Sequence, residues 1–345
     1  MAEPKTTQPL NIEQAVKKVL ASIEREREQE IISRRFGLFE RKETLEQIGE
    51  LLGITRERVR QLEKVVLTRL KTSSEKNLPG ITEVQAVFIE QLKNDGLVAR
   101  ISDVGAHLTE SNSKVDQSRV AFLAQLCPKL VVVDENDLHY LAVGLESSYS
   151  KKDLLNQINK VVEAIKDIGK PTSIEKIAEA VGLKDIKHVT SLASVSKQIT
   201  SLNSRWGLVK WPMVNPKNIR DKIYVILHDH GKHMHFNEIA KAIKDSSFKR
   251  KDVTTQAIHN ELIKDKRFVL IGRGIYALKE WGYEKGTVAD IIAKVLKKSG
   301  QPLHRDEIVK QVLKSRYVKE TTILLNLQGK PQFKRVAKAT YALAE

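Results

Sequence analysis

Apolar residues recur at three- and four-residue spacing along most of this chain, and alternation is confined to short stretches, so the pattern predicts amphipathic helices with occasional hairpins. From Asn11 to about Ser33 the set Ile12, Val16, Val19, Leu20, Ile23, Ile31 and Ile32 flanks the run Glu24-Arg25-Glu26-Arg27-Glu28, which reads as a solvated helix face. Thr44 then precedes Leu45, Ile48, Leu51 and Leu52, and Gln47 completes a possible capping box. Gly53 ends that helix, and Thr55 is a good N-cap for a second one from Arg56 to about Lys71. Two short helices joined by a tight glycine-containing turn predict a helix-turn-helix.

Helical geometry decides what the second helix presents to water. At about 100° per residue, Val59, Leu62, Val66 and Leu70 gather on one stripe and Glu57, Gln61, Lys64 and Thr68 on the other. The polar stripe carries side chains long enough to reach base edges. Arg56, Arg58 and Arg60 lie near the helix N-terminus, where charge and helix dipole favour phosphate.

The remaining chain is repetitive. Aligning Gly96, Gly169, Gly231 and Gly300 gives four ungapped windows, GLVARISDVG, GKPTSIEKIA, GKHMHFNEIA and GQPLHRDEIV. Their ninth position is Val104, Ile177, Ile239 or Ile308. Each window follows one amphipathic helix and opens another, and a β-like pair comes about forty residues later. The clearest pair is Phe268–Ile271, the turn Gly272-Arg273-Gly274, and Ile275–Leu278; Tyr341-Ala342-Leu343 matches Tyr276-Ala277-Leu278. In the first copy the pair is expected at Leu130–Val133 and Leu138–Ala142, with a turn at Asp134–Asp137, while the second, Trp206–Trp211, is the least regular. Three helices and a hairpin in each copy predict winged helices.

Composition narrows the class. The chain has 345 residues, enough for two to five domains, with 5% aromatic and 30% charged residues, which favours helices over large aromatic-cored sheets. A single cysteine, Cys127, excludes an intramolecular disulfide framework and an all-cysteine zinc cage and points to a reducing compartment. No apolar run reaches the roughly 18 residues of a membrane span, and the N-terminus has no signal-type stretch, so a cytoplasmic, nucleoid-associated protein is expected without membrane contact. Residues 1–10, with two prolines, read as a disordered lead.

The net charge of +16 favours polyanions. It is uneven: +3 in residues 1–80, −5 in 81–150, +6 in 151–218, +5 in 219–283 and +7 in 284–345. Lys249, Arg250, Lys251, Arg273, Lys334 and Arg335 therefore enter as possible wing contacts to phosphate, with the glycines beside Arg273 letting the backbone approach a groove.

Catalytic chemistry leaves no signature, for GxxxxGK[ST], GxGxxG, HExxH and GxSxG are all missing, and Cys127 in Leu126-Cys127-Pro128 reads as a buried structural thiol. His228, His230, His233 and His235 have no cysteine nearby, and His235 recurs as His304 at the same window position, which suggests packing or capping rather than metal. Neither an enzyme, a cofactor nor a small-molecule substrate is expected.

Two resemblances sharpen the reading. Arg34-Arg35-Phe36-Gly37-Leu38, Thr44-Leu45-Glu46-Gln47-Ile48-Gly49 and Ile54-Thr55-Arg56-Glu57-Arg58-Val59-Arg60-Gln61-Leu62-Glu63 resemble region 4 of bacterial primary sigma factors, over about residues 28–72. That domain reads the −35 promoter element and docks on RNA polymerase core. The resemblance implies that Arg56, Glu57 and Gln61 read bases, while Arg35, Thr44, Leu45, Thr55, Arg58, Arg60 and Lys64 hold the DNA backbone. A carboxylate accepting from cytosine and an Arg donating to guanine are what groove chemistry predicts. Sigma factors also carry an aromatic-rich region 2 that melts the −10 element, and the stretch before residue 28 is too short for one. Gly231-Lys232-His233-Met234-His235-Phe236-Asn237-Glu238-Ile239, Arg267–Leu278 and Trp281-Gly282-Tyr283 are similar to the HARE-type helix-turn-helix, a winged-helix module found in the RNA polymerase delta subunit.

The sequence thus predicts a mainly α protein with short β-hairpins: a helix-turn-helix domain (11–80) followed by tandem winged helices at 81–146, 151–218, 219–283 and 284–345. The expected function is regulation of transcription on double-stranded DNA, by −35-type recognition without a −10-melting region and in company with RNA polymerase. The alternative is a polymerase-associated accessory or scaffold protein, similar to the delta subunit, with weak or no DNA binding; the acidic residues 81–150 suit such docking.

Overall fold

Side-chain caps start most of the helices that the apolar spacing predicts. Asn11 Oδ1 accepts from the Gln14 N–H (2.9 Å) to open α1 (Ile12–Ala21), and Ser22 closes it by donating to the Val19 carbonyl (2.6 Å). α2 (Glu26–Phe36) begins after that break, so the charged run 24–28 spans a helix junction instead of one solvated face. Glu28 is in fact buried, because Arg69 Nη2 (2.7 Å) and Arg25 Nη1 (3.5 Å) neutralise its carboxylate. α3 (Leu45–Leu52) and α4 (Arg56–Glu75) follow, the latter one turn longer than expected.

The structure, a computed structural model, describes residues 11–344, and the lead expected at 1–10 lies outside them. It divides into two compact units, Met1–Val209 and Lys210–Glu345. It is mainly helical with small antiparallel sheets.

After α4 the first unit continues with α5 (Ile81–Asp95), β1 (Val98–Arg100), α6 (Ile101–Leu108), α7 (Lys114–Leu126), β2 (Leu130–Val133) and β3 (Ala142–Leu145). These do not form a separate core. Val16, Val19, Leu38, Val66, Phe88, Phe122, Leu123 and Val143 belong to one buried cluster, and Leu78 and Ile81 are buried on either side of the boundary expected at residue 80. α7 is the centre of it: the rings of Phe36 and Phe122 lie 5.0 Å apart, and Arg119 Nε donates to the Leu38 carbonyl (2.7 Å). The distant α1, α2 and α4 supply the partners, which no local pattern announces.

The hairpin in this stretch also differs from expectation. β2 pairs with β3 (Leu130 with Leu145, Val133 with Ala142), and β1 pairs with β3's other edge. Residues 138–140, expected as the second strand, pair instead with the next copy: Tyr140 N–H donates to the Val195 carbonyl (2.9 Å) and Lys197 N–H to that of Leu138 (2.8 Å). That next copy comprises α8 (Lys151–Ile168), α9 (Ile174–Val181), α10 (Ile186–Val195), β4 (Ile199–Leu202) and β5 (Arg205–Leu208), with one bridge from Thr172 to Trp206 in place of a third strand. α10 lies against the end of α5. His188 Nδ1 is 2.7 Å from the Gly96 carbonyl, and a Cβ on Gly96 would come within 2.7 Å of the Lys187 backbone.

The second unit holds α11 (Ile219–His230), β6 (Met234–His235), α12 (Phe236–Asp245), α13 (Thr255–Lys264), β7 (Phe268–Gly272) and β8 (Ile275–Leu278). It ends with α14 (Val288–Ser299), β9 (Leu303–His304), α15 (Arg305–Ser315), α16 (Glu320–Gly329), β10 (Phe333–Ala337) and β11 (Thr340–Leu343). Both sheets place the last strand in the middle, β6-β8-β7 and β10-β11-β9, as in β1-β3-β2. Met234 pairs with Tyr276 and Leu303 with Tyr341, so the matching tyrosines occupy equivalent sites. Gly96, Gly169, Gly231 and Gly300 all terminate helices in the left-handed conformation, and Val104, Ile177, Ile239 and Ile308 are all fully buried.

Candidate nucleic-acid interface

The helix-turn-helix is built around a small core of its own. Ile31, Ile48 and Val59 are fully buried, with Leu45, Leu52, Ile54 and Leu62 packed around them. Gly49 is buried inside α3, where a Cβ would meet the Ile54 carbonyl oxygen at 2.7 Å, so the chain turns back tightly only because that side chain is missing. Gly53 then takes a positive φ of 63°, and the Ile54 N–H returns to the Gly49 carbonyl (2.9 Å). Arg27 Nη2 closes α3 by donating to the Leu52 carbonyl (2.6 Å).

Both helices carry the expected caps. Thr44 Oγ1 accepts from Gln47 N–H (3.3 Å) while Gln47 Oε1 accepts from Thr44 N–H (2.9 Å), and Thr55 Oγ1 accepts from Arg58 N–H (3.2 Å). Leu45 is half-buried against the small core, which leaves its main chain at the α3 N-terminus.

Glu57, Gln61, Lys64 and Thr68 lie exposed on the side of α4 away from buried Val59, Val66 and Leu70, as the periodicity predicts. They are linked before any ligand arrives. Arg60 forks onto Glu57 (2.8 and 2.6 Å), Gln61 Nε2 donates to Glu57 (3.3 Å), and Arg58 Nη1 donates to Gln61 Oε1 (3.3 Å). The Arg60 hydrogen bonds hold the Glu57 carboxyl down to about 2, so it is an acceptor at any ordinary pH. An obligate acceptor beside an amide that both donates and accepts suits the exposed edges of base pairs.

Two further arginines stand differently. Arg56 Nη1 pairs with Glu46 of α3 at 2.7 Å, both side chains more than half exposed, so little holds the pair against competition from a ligand. Arg35 is turned inward: its Nε faces Glu63 (3.3 Å) and its Nη1 the Glu43 carbonyl (3.3 Å), bracing α2 against α4. The roles of Arg27 and Glu46 were invisible in the sequence, since each reaches a partner across a turn whose geometry no spacing encodes.

In the second unit Lys249, Arg250 and Lys251 are exposed in the loop before α13; Lys251 Nζ donates to the Ser246 carbonyl (3.2 Å), and Lys222 Nζ holds the Arg250 carbonyl (2.7 Å). Lys334 and Arg335 are exposed on β10, and Arg273 is exposed at the β7–β8 turn. The glycines beside Arg273 do not clear a path for a groove, however. A Cβ on Gly274 would lie 2.5 Å from His235 Nε2, and one on Gly272 would lie 3.0 Å from the Tyr317 carbonyl, so the space serves internal packing. Tyr317 N–H donates to Ile271 (3.2 Å) and Arg316 Nη1 to Leu270 (2.8 Å), covering the outer edge of β7.

His235 and His304 cap α12 and α15, their Nδ1 atoms accepting from the Asn237 (3.2 Å) and Asp306 (3.4 Å) N–H groups. No group of three or more His, Cys, Asp or Glu suited to a metal occurs among the described residues. Cys127 is buried, and burial pushes its thiol up to about 12, far from a nucleophile's range. No helix among the described residues is long and apolar enough to cross a membrane.

With this geometry in place, comparison with known families shows that residues 25–72, which hold α2, the turn, α3 and most of α4, are similar to sigma-70 region 4. Region 4 is a DNA-binding element of transcription, and that is the function the match supports for this segment.

Proposed function

We propose that this chain regulates transcription by binding promoter DNA through α4, in the manner of a −35 reader, and that it acts together with RNA polymerase core. The observation that carries the reading is the exposed Glu57–Arg60–Gln61–Arg58 network on a capped helix that projects from a helix-turn-helix. Arg56, Glu57 and Gln61 read bases, and Arg58, Arg60 and Lys64 contact phosphate. Arg35, Thr44 and Thr55 hold the helices at the right angle, and the main chain at Leu45 faces the DNA backbone. The four later copies of the helix–helix–helix–hairpin plan are read as winged helices, the third of HARE type.

A second reading, a polymerase-associated scaffold, draws support from α7 and α10. Both occupy the third-helix position of their copies and both are buried against neighbouring elements, so neither enters a groove. A titration of duplex affinity against salt separates the readings. Several phosphate contacts give a fall in log affinity of about 0.9 per phosphate for each decade of salt. A flat response at every sequence defeats the DNA reading and leaves the scaffold.

A further inference from the structure

The four copies of the repeated plan provide their own controls for what a third helix does. α7 is locked into the shared core and α10 against α5, as described above. α13 and α16 align residue for residue: Ile258 and Leu262 of α13 match Ile323 and Leu327 of α16, and all four are buried. The outer positions then diverge. α16 presents Leu325, 68% exposed, with Thr321 beside it, a surface with no directional hydrogen-bond code. α13 presents Gln256 and Asn260 at the same two places, both exposed, and Gln256 Nε2 donates to Asn260 Oδ1 (3.1 Å).

That bond leaves the Gln256 oxygen as an acceptor and the Asn260 NH2 as a donor, side by side on one face of the helix. Adenine offers the complement in the major groove, an N6–H donor next to the N7 acceptor, and side-chain amides are its usual readers. The surroundings suit DNA as well. The first turn of α13 has no acidic residue, Lys249 and Arg250 are exposed just before it, and Lys264 is exposed at its end. We infer that α13 is a second base-reading helix, which takes adenine in duplex DNA through Gln256 and Asn260. The inference rests on the proposed DNA binding of the chain but concerns a different helix, in a different unit, from α4.

Selection of duplexes from a random pool by the full chain tests it, comparing the wild type with Gln61→Ala and with the double variant Gln256→Ala/Asn260→Ala. The substituted side chains are exposed, and circular dichroism verifies that each variant is folded. The wild type is expected to enrich two sequence blocks. Gln61→Ala relaxes one of them; the double variant relaxes the other, an adenine-containing block, with discrimination there falling roughly tenfold. If the double variant selects the wild-type sequences unchanged, α13 is no reader and the inference is overturned, whatever Gln61→Ala does. If Gln61→Ala has no effect while the double variant loses its block, the role given to α4 fails and that of α13 stands. A wild type that enriches nothing overturns both.

Discussion

At Gly49 two opposing terms meet. Alanine is the better helix former by about 1 kcal/mol, yet its Cβ would press on the Ile54 carbonyl, a backbone atom that cannot swing aside. Gly49→Ala is therefore expected to destabilise the helix-turn-helix by about 1–2 kcal/mol net, measured as a lowered denaturation midpoint, and a raised midpoint would show that the turn has slack. Glu57 yields a different kind of expectation. Its carboxyl is depressed to about 2 while Arg60 holds it, so in the free chain it is charged throughout the accessible range. The base preference at its position should be unchanged between pH 8 and pH 5, as followed by competition binding, whereas an ordinary carboxylate near 4.5 would begin to lose charge at the acid end. Much of this residue-level detail was legible in the sequence, because caps and the faces of a helix depend on neighbours within four positions. Glu28 was not, since its burial depends on Arg69, forty-one residues away.

Among the elements, the four window glycines and the four buried ninth positions follow the sequence, and so do the histidine caps. The two caps differ in surroundings. The His304 side chain is half exposed, while the His235 ring lies tilted against Phe236 (4.4 Å between centroids) and fills the space beside Gly274. His304→Ala should cost about 0.5–1 kcal/mol and His235→Ala more, since packing is lost with the cap; equal losses in thermal denaturation would refute that distinction. In the first hairpin the second strand is Ala142–Leu145 instead of the expected Leu138–Ala142. Residues 138–140 bridge to another copy, while Ala142 opens the strand that pairs with Val133 of its own, and apolar content does not say which edge a stretch joins.

On the scale of the molecule, His139 ties the first unit to pH. It is buried at the strand-like junction with Ser196, and neither ring nitrogen has a hydrogen-bond partner among the described residues. Burial lowers its pKa below the usual value near 6.5. The unfolded chain then takes up a proton that the folded one refuses, so stability is full above about pH 6.5 and declines as the pH falls below it. The denaturation midpoint should drop between pH 7 and pH 5, and less steeply in His139→Phe; identical slopes would remove His139 as the cause. We propose that Arg273, exposed at the β7–β8 turn, contacts phosphate through charge alone. Arg273→Ala should weaken all duplexes alike and reduce the salt slope by about 0.9, and a sequence-dependent loss would count against it.

The core that passes through α7 decides how portable the helix-turn-helix is. Phe36 and Leu38, inside the stretch that resembles region 4, have their partners at Phe122 and Arg119, far beyond its end. A piece that is to be grafted onto another protein, and still hold α4 in its present pose, must take in more than the matched segment: the shared core runs from Ile12 to Leu145, and α10 packs on Gly96 within a unit that reaches Val209. Anything shorter would carry an open wound of apolar surface, and the same holds in reverse for residues 81–145 once the first eighty are cut away.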